Sequence, residues 1–454
     1  MFCKISLSQL VDIIAAEPVN LSSEAACSLL TGITTDTRTL KSGNIFLALR
    51  GEKFDGHNFA AVAIAQGAVA VIIERTQASR LQRIPQLLVE DTLKAYQQIA
   101  RWWREQFPIP VIAVTGSVGK TTTKELIAAV LSTKGNVLKT QANFNNEIGV
   151  PKTLLELGPQ HDYAVIEMAM RGTGQIAELT KIAHPTMGVI TNVGTAHIGI
   201  LGSVEAIAQA KCELLAQMPD HSIGILNQDD RRLMETAATV WQGKTFTYGL
   251  EAGDFKGQLI DQNTVVVEEM QLPLPLAGSH NALNYLAALA VAKVLEIDLA
   301  PLSQGIEVKM PAGRSQRYDL PNDIVILDET YNAGLESMLA ALELLSQTAG
   351  TRHLAVLGTM KELGEHSCEL HQQVGKRVEQ LHLDALLIMI DDPEAAEIAT
   401  GSGAVPVDCF SSKEALLKRL QEMIQPGDRI LFKASHSVGL DQVVAQLRES
   451  ILVF

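Results

Sequence analysis

The segment Val114–Glu125, VTGSVGKTTTKE, limits the possible folds more than any other stretch of this chain. An apolar run, Val111–Val114, leads into it, and a helix-forming run, Leu126–Leu131, leaves it. A strand, a glycine turn and a helix in that order belong to parallel α/β sheets, whose strands need helical crossovers. Backbone N–H groups at such a helix start, together with the helix dipole, attract an anion. Lys120 would neutralise β- and γ-phosphates, and Thr121 would ligate Mg²⁺. Gly116, Ser117, Val118, Gly119, Lys120, Thr121 and Thr122 are therefore the candidate nucleotide loop. A plain turn at a helix start also favours small residues, but it does not require a lysine followed by three threonines. The usual loop, G-x-x-x-x-G-K-[ST], would place its first glycine at position 114, which is valine. Gly116 is the available glycine, so the loop is short.

The 454 residues are enough for three domains of ~150 residues each. The expected architecture is α/β: a small N-terminal α/β domain over 1–88, a P-loop-type central ATP-binding domain over 89–312 and a Rossmann-like, doubly wound C-terminal domain over 313–454. In the first, residues 45–49 and 68–73 read as strands around a helix at 59–66, and RIPQLLVEDT reads as a crossover. In the second, short apolar runs at 111–114, 163–167, 187–191 and 223–226 read as parallel strands. Helices are expected at 203–218 and 282–295, and a second, smaller β-rich stretch at 255–276 interrupts the domain. In the third, strands are expected at 324–327, 354–357, 385–390 and 429–433.

A net charge of −14 argues against a broad nucleic-acid surface but leaves room for a local anion site. No apolar run approaches the ~20 residues of a membrane span, and the first residues lack a signal-peptide core. Cys3, Cys27, Cys212, Cys368 and Cys409 are scattered, as expected of reduced thiols in a cytoplasmic protein.

Other candidates carry weaker signals. Glu167 ends the run DYAVIE, where a second-strand acid would hold Mg²⁺, although a strand-end carboxylate is often only a surface turn. His197 lies in a loop on the carboxyl side of the sheet, where α/β proteins bind ligands. By pattern alone Lys211 is a solvated lysine on an amphipathic helix capped by Ser203. Asn143, Asn145 and Asn146 fit either a turn and cap or a polar substrate site. Asn281 and Asn284 share a helix face and fit either caps or a base edge. Arg314 is a weak signal, and Asp328, Tyr331 and Asn332 sit at a strand end suited to a ribose or phosphate.

Taken in order, TGSVGKTTTKE, NFNNEIGVPKTLL, EMAMRGTGQIAELT, TNVGTAHIGILGS, GSHNALNYLAA, Gly313-Arg314 and DETYNAG resemble the motifs of the Mur ligases of bacterial cell-wall synthesis. The short loop is that family's form of the phosphate cradle. The resemblance spans essentially the whole chain, including TTDTRTLKSGNIFLALRGEKFDGHNF near the start. It is strongest to the branch that joins D-Ala-D-Ala to UDP-MurNAc-tripeptide, and EMAMRGTGQIAELT and KASHSVGLD are most similar to cyanobacterial versions. Three departures lie in the last domain. Gly358-Thr359-Met360 stands for G-D-M, 433–436 reads KASH for K-G-S-R, and Gly334-Leu335 follows Ala333 where many relatives continue with Asn-Pro.

The resemblance implies an ATP-dependent carboxylate–amine ligase, acting as a monomer through an acyl phosphate. Thr35, Asp36, Arg38, Asp55 and His57 would meet the UDP-sugar, and Asn281, Asn284 and Asp328 would meet adenine and ribose. Lys120, Arg314 and two Mg²⁺ ions would screen the approach of two anions, with Thr121 and Glu167 holding one ion and His197 contacting the other. Lys211, in Ala210-Lys211-Cys212-Glu213, would carry a carbamate. Three rivals are weaker. The sister ligase that adds the third amino acid usually carries D-N-P-R, which is missing here. Folylpolyglutamate synthase lacks the UDP-sugar segment. A P-loop regulatory switch would call for N-K-x-D and no second α/β domain.

Overall fold

The computed structural model describes residues 5–22, 28–81 and 83–453. Cys3 and Cys27 lie outside them; Cys212, Cys368 and Cys409 are free thiols. Three sheets of five, nine and six strands organise three domains along the chain.

The central sheet explains itself from alternation. On strand Val111–Thr115, Ile112 and Val114 enter one core while Val111 and Ala113 enter the other. A strand buried on both faces must be covered by helices on both faces. Helices Lys120–Leu131 and Ser279–Val294 cover the first, and Gln175–Ala183 and Val204–Gln217 cover the second. Ser279–Val294 is alanine-rich and buried from Asn284 to Ala292, which lets it lie close on Lys120–Leu131. Val111–Thr115 pairs in parallel with Tyr163–Glu167 on one side and Met187–Ile190 on the other. The glycine loop, Glu167 and the loop after Ile190 therefore open at one carboxyl edge. The β-rich stretch adds strands to this sheet. Phe255–Asp261 joins Lys244–Gly249 in parallel, and Thr264–Val267 and Met270–Pro273 extend the same sheet antiparallel.

In the first sheet, Gly32–Thr34, Asn44–Leu47, Ala70–Glu74 and Gln86–Val89 are parallel, with Glu17–Val19 antiparallel at the edge. The expected crossover thus begins with a strand, Gln86–Val89, and only then turns into helix Thr92–Glu105. The third sheet runs Gln316–Leu320, Ile324–Asp328, Asp428–Lys433, Arg352–Gly358, Ala385–Met389, Val407–Phe410, parallel except for its first strand. Among the described residues no helix is long and apolar enough to cross a membrane.

Helix Thr92–Glu105 ties the first domain to the second. Asp91 caps it by accepting from Leu93 N (2.8 Å) and Lys94 N (3.0 Å). Tyr96, Ile99 and Trp103 join a core that runs from Ile5 and Leu10 to Leu154 and Leu157. The Trp103 indole donates to Leu157 O at 3.0 Å. Trp103→Ala is expected to cost about 3–5 kcal/mol. Trp103→Phe keeps most of the ring packing but leaves the carbonyl unpaired, so a smaller loss of about 1–3 kcal/mol is expected. Urea unfolding followed by circular dichroism measures both, and a Trp103→Phe protein as stable as wild type would deny the indole bond any role.

Candidate active site

The glycine loop is held from outside. Gly119 caps helix Lys120–Leu131 with φ 80°, and a Cβ there would lie 2.5 Å from Asn284 Oδ1. A Cβ on Gly116 would lie 1.9 Å from Thr191 Oγ1. The segment after Met187–Ile190 ties the loop down. Asn192 Oδ1 accepts from Val118 N (3.0 Å), Asn192 O accepts from Ser117 N (3.0 Å), and Thr191 Oγ1 donates to Val118 O (2.7 Å). Asn192, inside the motif TNVGTAHIGILGS, thus serves the loop. Lys120 curls back and donates to Gly116 O (2.8 Å) and Ser117 O (3.1 Å). Burial pushes its ammonium down to about 8, Glu167 opposes this, and Arg314 adds to it.

Glu167 is 2% exposed. Its Oε1 accepts from Asn145 Nδ2 at 2.7 Å, whereas Oε2 is buried without any hydrogen-bond partner. Lys124, fully buried on the loop helix, holds Thr140 O (2.8 Å) and Glu125 (2.8 Å) and stands 4.0 Å from Glu167 Oε2. Its position inside the quoted motif was visible in sequence, but its burial was not. Of the three asparagines, Asn145 faces the acid and Asn146 caps the next helix turn through Gly149 N (2.9 Å). Asn143 lines the cavity.

Lys211 is 1% exposed, which corrects its reading as a solvated lysine. Among the described residues it makes no ion pair or hydrogen bond. Burial, and secondly the charge of Lys120, hold its pKa well below the ordinary lysine range. Two residues on, Glu213 caps helix Gln175–Ala183 by accepting from Gly174 N (2.6 Å) and Ala177 N (3.0 Å). His197 begins helix Ile198–Leu201 in the left-handed region, φ 70°, and its Nδ1 bonds Glu362 Oε2 at 2.6 Å. Burial lowers its pKa, with Lys120 and Lys211 adding to the effect and Glu362 opposing it.

The third domain closes the other wall. The Arg314 guanidinium lies 3.8 Å over the Tyr331 ring, and Tyr331 stacks on His436 at 5.6 Å. Lys433 donates to Asn332 O (2.9 Å). Glu336 accepts from Thr195 N (2.6 Å) across the seam. Asp328, expected at a ribose, faces inward: its Oδ1 takes the Thr330 amide and hydroxyl (3.1 and 2.6 Å). Strand alternation turns the next residue the other way, so Glu329 lines the cavity in its place. The two helix asparagines also serve structure. Asn284 Oδ1 accepts from Thr123 Oγ1 (3.1 Å), and Asn281 donates to Ala277 O (2.8 Å), while both line the cavity.

The cavity between the second and third domains measures about 1720 Å³ and gathers the loop, Glu167, His197, Asn143, Asn145, Asn281, Asn284, Arg314, Tyr331 and Asn332. That exceeds the ~300–1,000 Å³ of a single small-ligand pocket. Thr35, Asp36, Arg38, Asp55 and His57 are not part of its lining. Arg38 is paired in two-pronged fashion with Asp36. His57 has both ring nitrogens engaged, by Asp55 (2.6 Å) and by Glu74 N (3.1 Å).

Three family profiles cover most of the chain: the Mur ligase middle domain over residues 114–292, the Mur ligase glutamate ligase domain over 313–436, and the Mur ligase family catalytic domain over 29–104. A curated UDP-N-acetylmuramoyl-tripeptide–D-alanyl-D-alanine ligase of Synechocystis sp. is 59% identical over 418 residues, 92% of each chain. The chain belongs to the Mur ligase family. A crystal structure of MurF from Acinetobacter baumannii matches this Mur ligase with TM-score 0.88 and 32% identity, over 98% of this chain and 99% of that one. MurF from Thermotoga maritima in complex with ADP matches with TM-score 0.83 and 31% identity, over 92% and 97%. For this Mur ligase, Gly116→Ala is expected to weaken nucleoside-diphosphate binding at least tenfold, ~1.4 kcal/mol. The new methyl must displace Thr191 and with it the Val118 anchor. Calorimetric titration checks this, and unchanged affinity would show that the loop tolerates the shift.

Proposed function

We propose that the chain is an ATP-dependent ligase that joins D-Ala-D-Ala to UDP-MurNAc-tripeptide through an acyl phosphate. The observation that carries this reading is the large cavity in which a phosphate loop, a buried carboxylate with one oxygen free of hydrogen bonds and an arginine-backed wall face one another. The names of the relatives support the substrates, and the ADP complex of one of them supports the nucleotide.

A carboxylate meets the γ-phosphate only if the charge of both is offset. Lys120 and Arg314 converge on the cavity from two domains, and Lys120 has only carbonyls to release when phosphate arrives. Mg²⁺ would supply further neutralisation at the phosphates. Thr121 and Glu167 are the residues suited to hold one ion, because Glu167 Oε2 is buried and unpartnered. Mg²⁺ commonly keeps several waters and needs only one or two protein carboxylates beside the phosphates. His197, with Lys211, would hold a second. Transfer of the γ-phosphoryl group to the substrate carboxylate gives the acyl phosphate. The dipeptide amine then attacks that carbonyl and phosphate leaves. An α-amine with a pKa of ~8 already has a neutral fraction at neutral pH. The domain seam keeps water from the acyl phosphate. Thr35, Asp36, Arg38, Asp55 and His57 in the first domain are assigned to the UDP-sugar end.

Phosphate release should require ATP, UDP-MurNAc-tripeptide and D-Ala-D-Ala together and should yield the pentapeptide. Equal turnover with a single free amino acid in place of the dipeptide would overturn the assignment.

We also assign a carbamate to Lys211. Its amine is buried, makes no ion pair or hydrogen bond among the described residues, and has its pKa held low by burial first and Lys120 second, which favours the neutral form that attacks CO₂. Carbamylation, with loss of a proton, turns that amine into an anion with oxygen ligands. Lys211→Ala should be nearly inactive and partly restored by short carboxylates such as acetate. A bare amine at Lys211 in a well-resolved nucleotide–Mg²⁺ complex grown with bicarbonate would rule the carbamate out.

A further inference from the structure

Two loops from different domains meet at the mouth of the cavity. A Cβ on Gly199 would lie 2.4 Å from Gly364 N, and one on Gly364 would lie 2.8 Å from Gly199 Cα. The backbones therefore touch, and Gly199 N donates to Glu362 O at 3.1 Å. Glu362 itself holds φ 65°, a conformation that side-chain-bearing residues rarely adopt. The consequence of that geometry is a carboxylate aimed back across the seam. Glu362 Oε2 meets His197 Nδ1 at 2.6 Å. His197 Nε2, by contrast, has no protein partner among the described residues, and the ring lines the cavity.

We infer that Glu362 is a positioning residue: it reaches from the third domain to fix the imidazole of His197, so that Nε2 faces the phosphate end only when the two domains are docked. An imidazole whose Nδ1–H is held by a carboxylate presents Nε2 as a lone-pair donor. A histidine in the left-handed region on a short helix has little else to orient it. Glu336, the other acid crossing this seam, grips the Thr195 backbone and not the ring. Docking and ring orientation thus rest on different side chains. The inference rests on the ligase reading, and its test separates the two.

The experiment compares wild type, Glu362→Ala and Glu362→Gln. It measures kcat and KM for each substrate, Mn²⁺ binding by electron paramagnetic resonance with a non-hydrolysable ATP analogue, and radius of gyration by small-angle scattering. Loss of a partner that orients a ligand typically lowers metal affinity or activity 10–100-fold. Glu362→Ala should show a loss of that size in kcat and in Mn²⁺ affinity, with the dipeptide KM within about threefold of wild type. Glu362→Gln should stay near wild type, because its amide oxygen still accepts from Nδ1–H. Unchanged Mn²⁺ affinity in Glu362→Ala would overturn the inference. So would an expanded radius of gyration, which would make Glu362 a docking contact only, or a glutamine variant as impaired as the alanine one. A wild-type protein without ligase turnover would instead overturn the reading of function, while Mn²⁺ binding still judged Glu362.

Discussion

The grip of Thr191 and Asn192 on Val118 is the contact on which the site depends. A glycine loop is conformationally free, and that freedom must be removed before its amides can point at one anion. Here the removal is done by the neighbouring strand's exit, which accepts from Ser117 N and Val118 N and donates to Val118 O. This is possible because Val111–Thr115 and Met187–Ile190 are parallel neighbours, so their carboxyl ends emerge side by side. Shortening the loop brings it within reach of that anchor. The same adjacency places Glu167 on the opposite flank of the loop.

Around that loop the protein collects cations that repel one another. Lys120, Lys211 and Arg314 all depress a neighbour's or their own proton affinity, and only Lys120 has carbonyls to console its charge. Such an arrangement is costly until an anion arrives, because a buried unpaired charge loses its hydration. The unpaired oxygen of Glu167 is the complementary cost. Lys120, Arg314 and Glu167 all line the same cavity, which is how a structure stores the means to bind a charged ligand. Lys124 shows the contrasting solution. It is as deeply buried but satisfied by Thr140 O and Glu125, and so belongs to the scaffold.

The third domain contributes charge as well as a wall. Glu336 and Glu362 both cross to the segment 194–199, one to a backbone amide and one to the His197 ring. The contact between Gly199 and Gly364 leaves no space for any side chain at either position. Small residues at the seam and acids beside it make the active arrangement a property of two domains together.

How much was legible depended on the range of the cause. The phosphate loop, the strands Val111–Thr115, Tyr163–Glu167 and Met187–Ile190, and the helix Val204–Gln217 with its Ser203 cap follow from local periodicity, caps and glycine placement. These are short-range rules, so residue order alone determined them. Burial of Lys211, the inward turn of Asp328 and the substitution of Glu329 at the cavity were not readable, because they depend on which element covers a given face. A helical lysine looks solvated until the elements packed on its face are known. The β-rich stretch at Phe255–Pro273 was legible as strands, but its pattern does not say which sheet it joins. Residue order thus decided the chemistry available and the elements that carry it. The packing of three domains decided which of those groups lose water, and it is the loss of water that turns a lysine, a carboxylate and a histidine into a site.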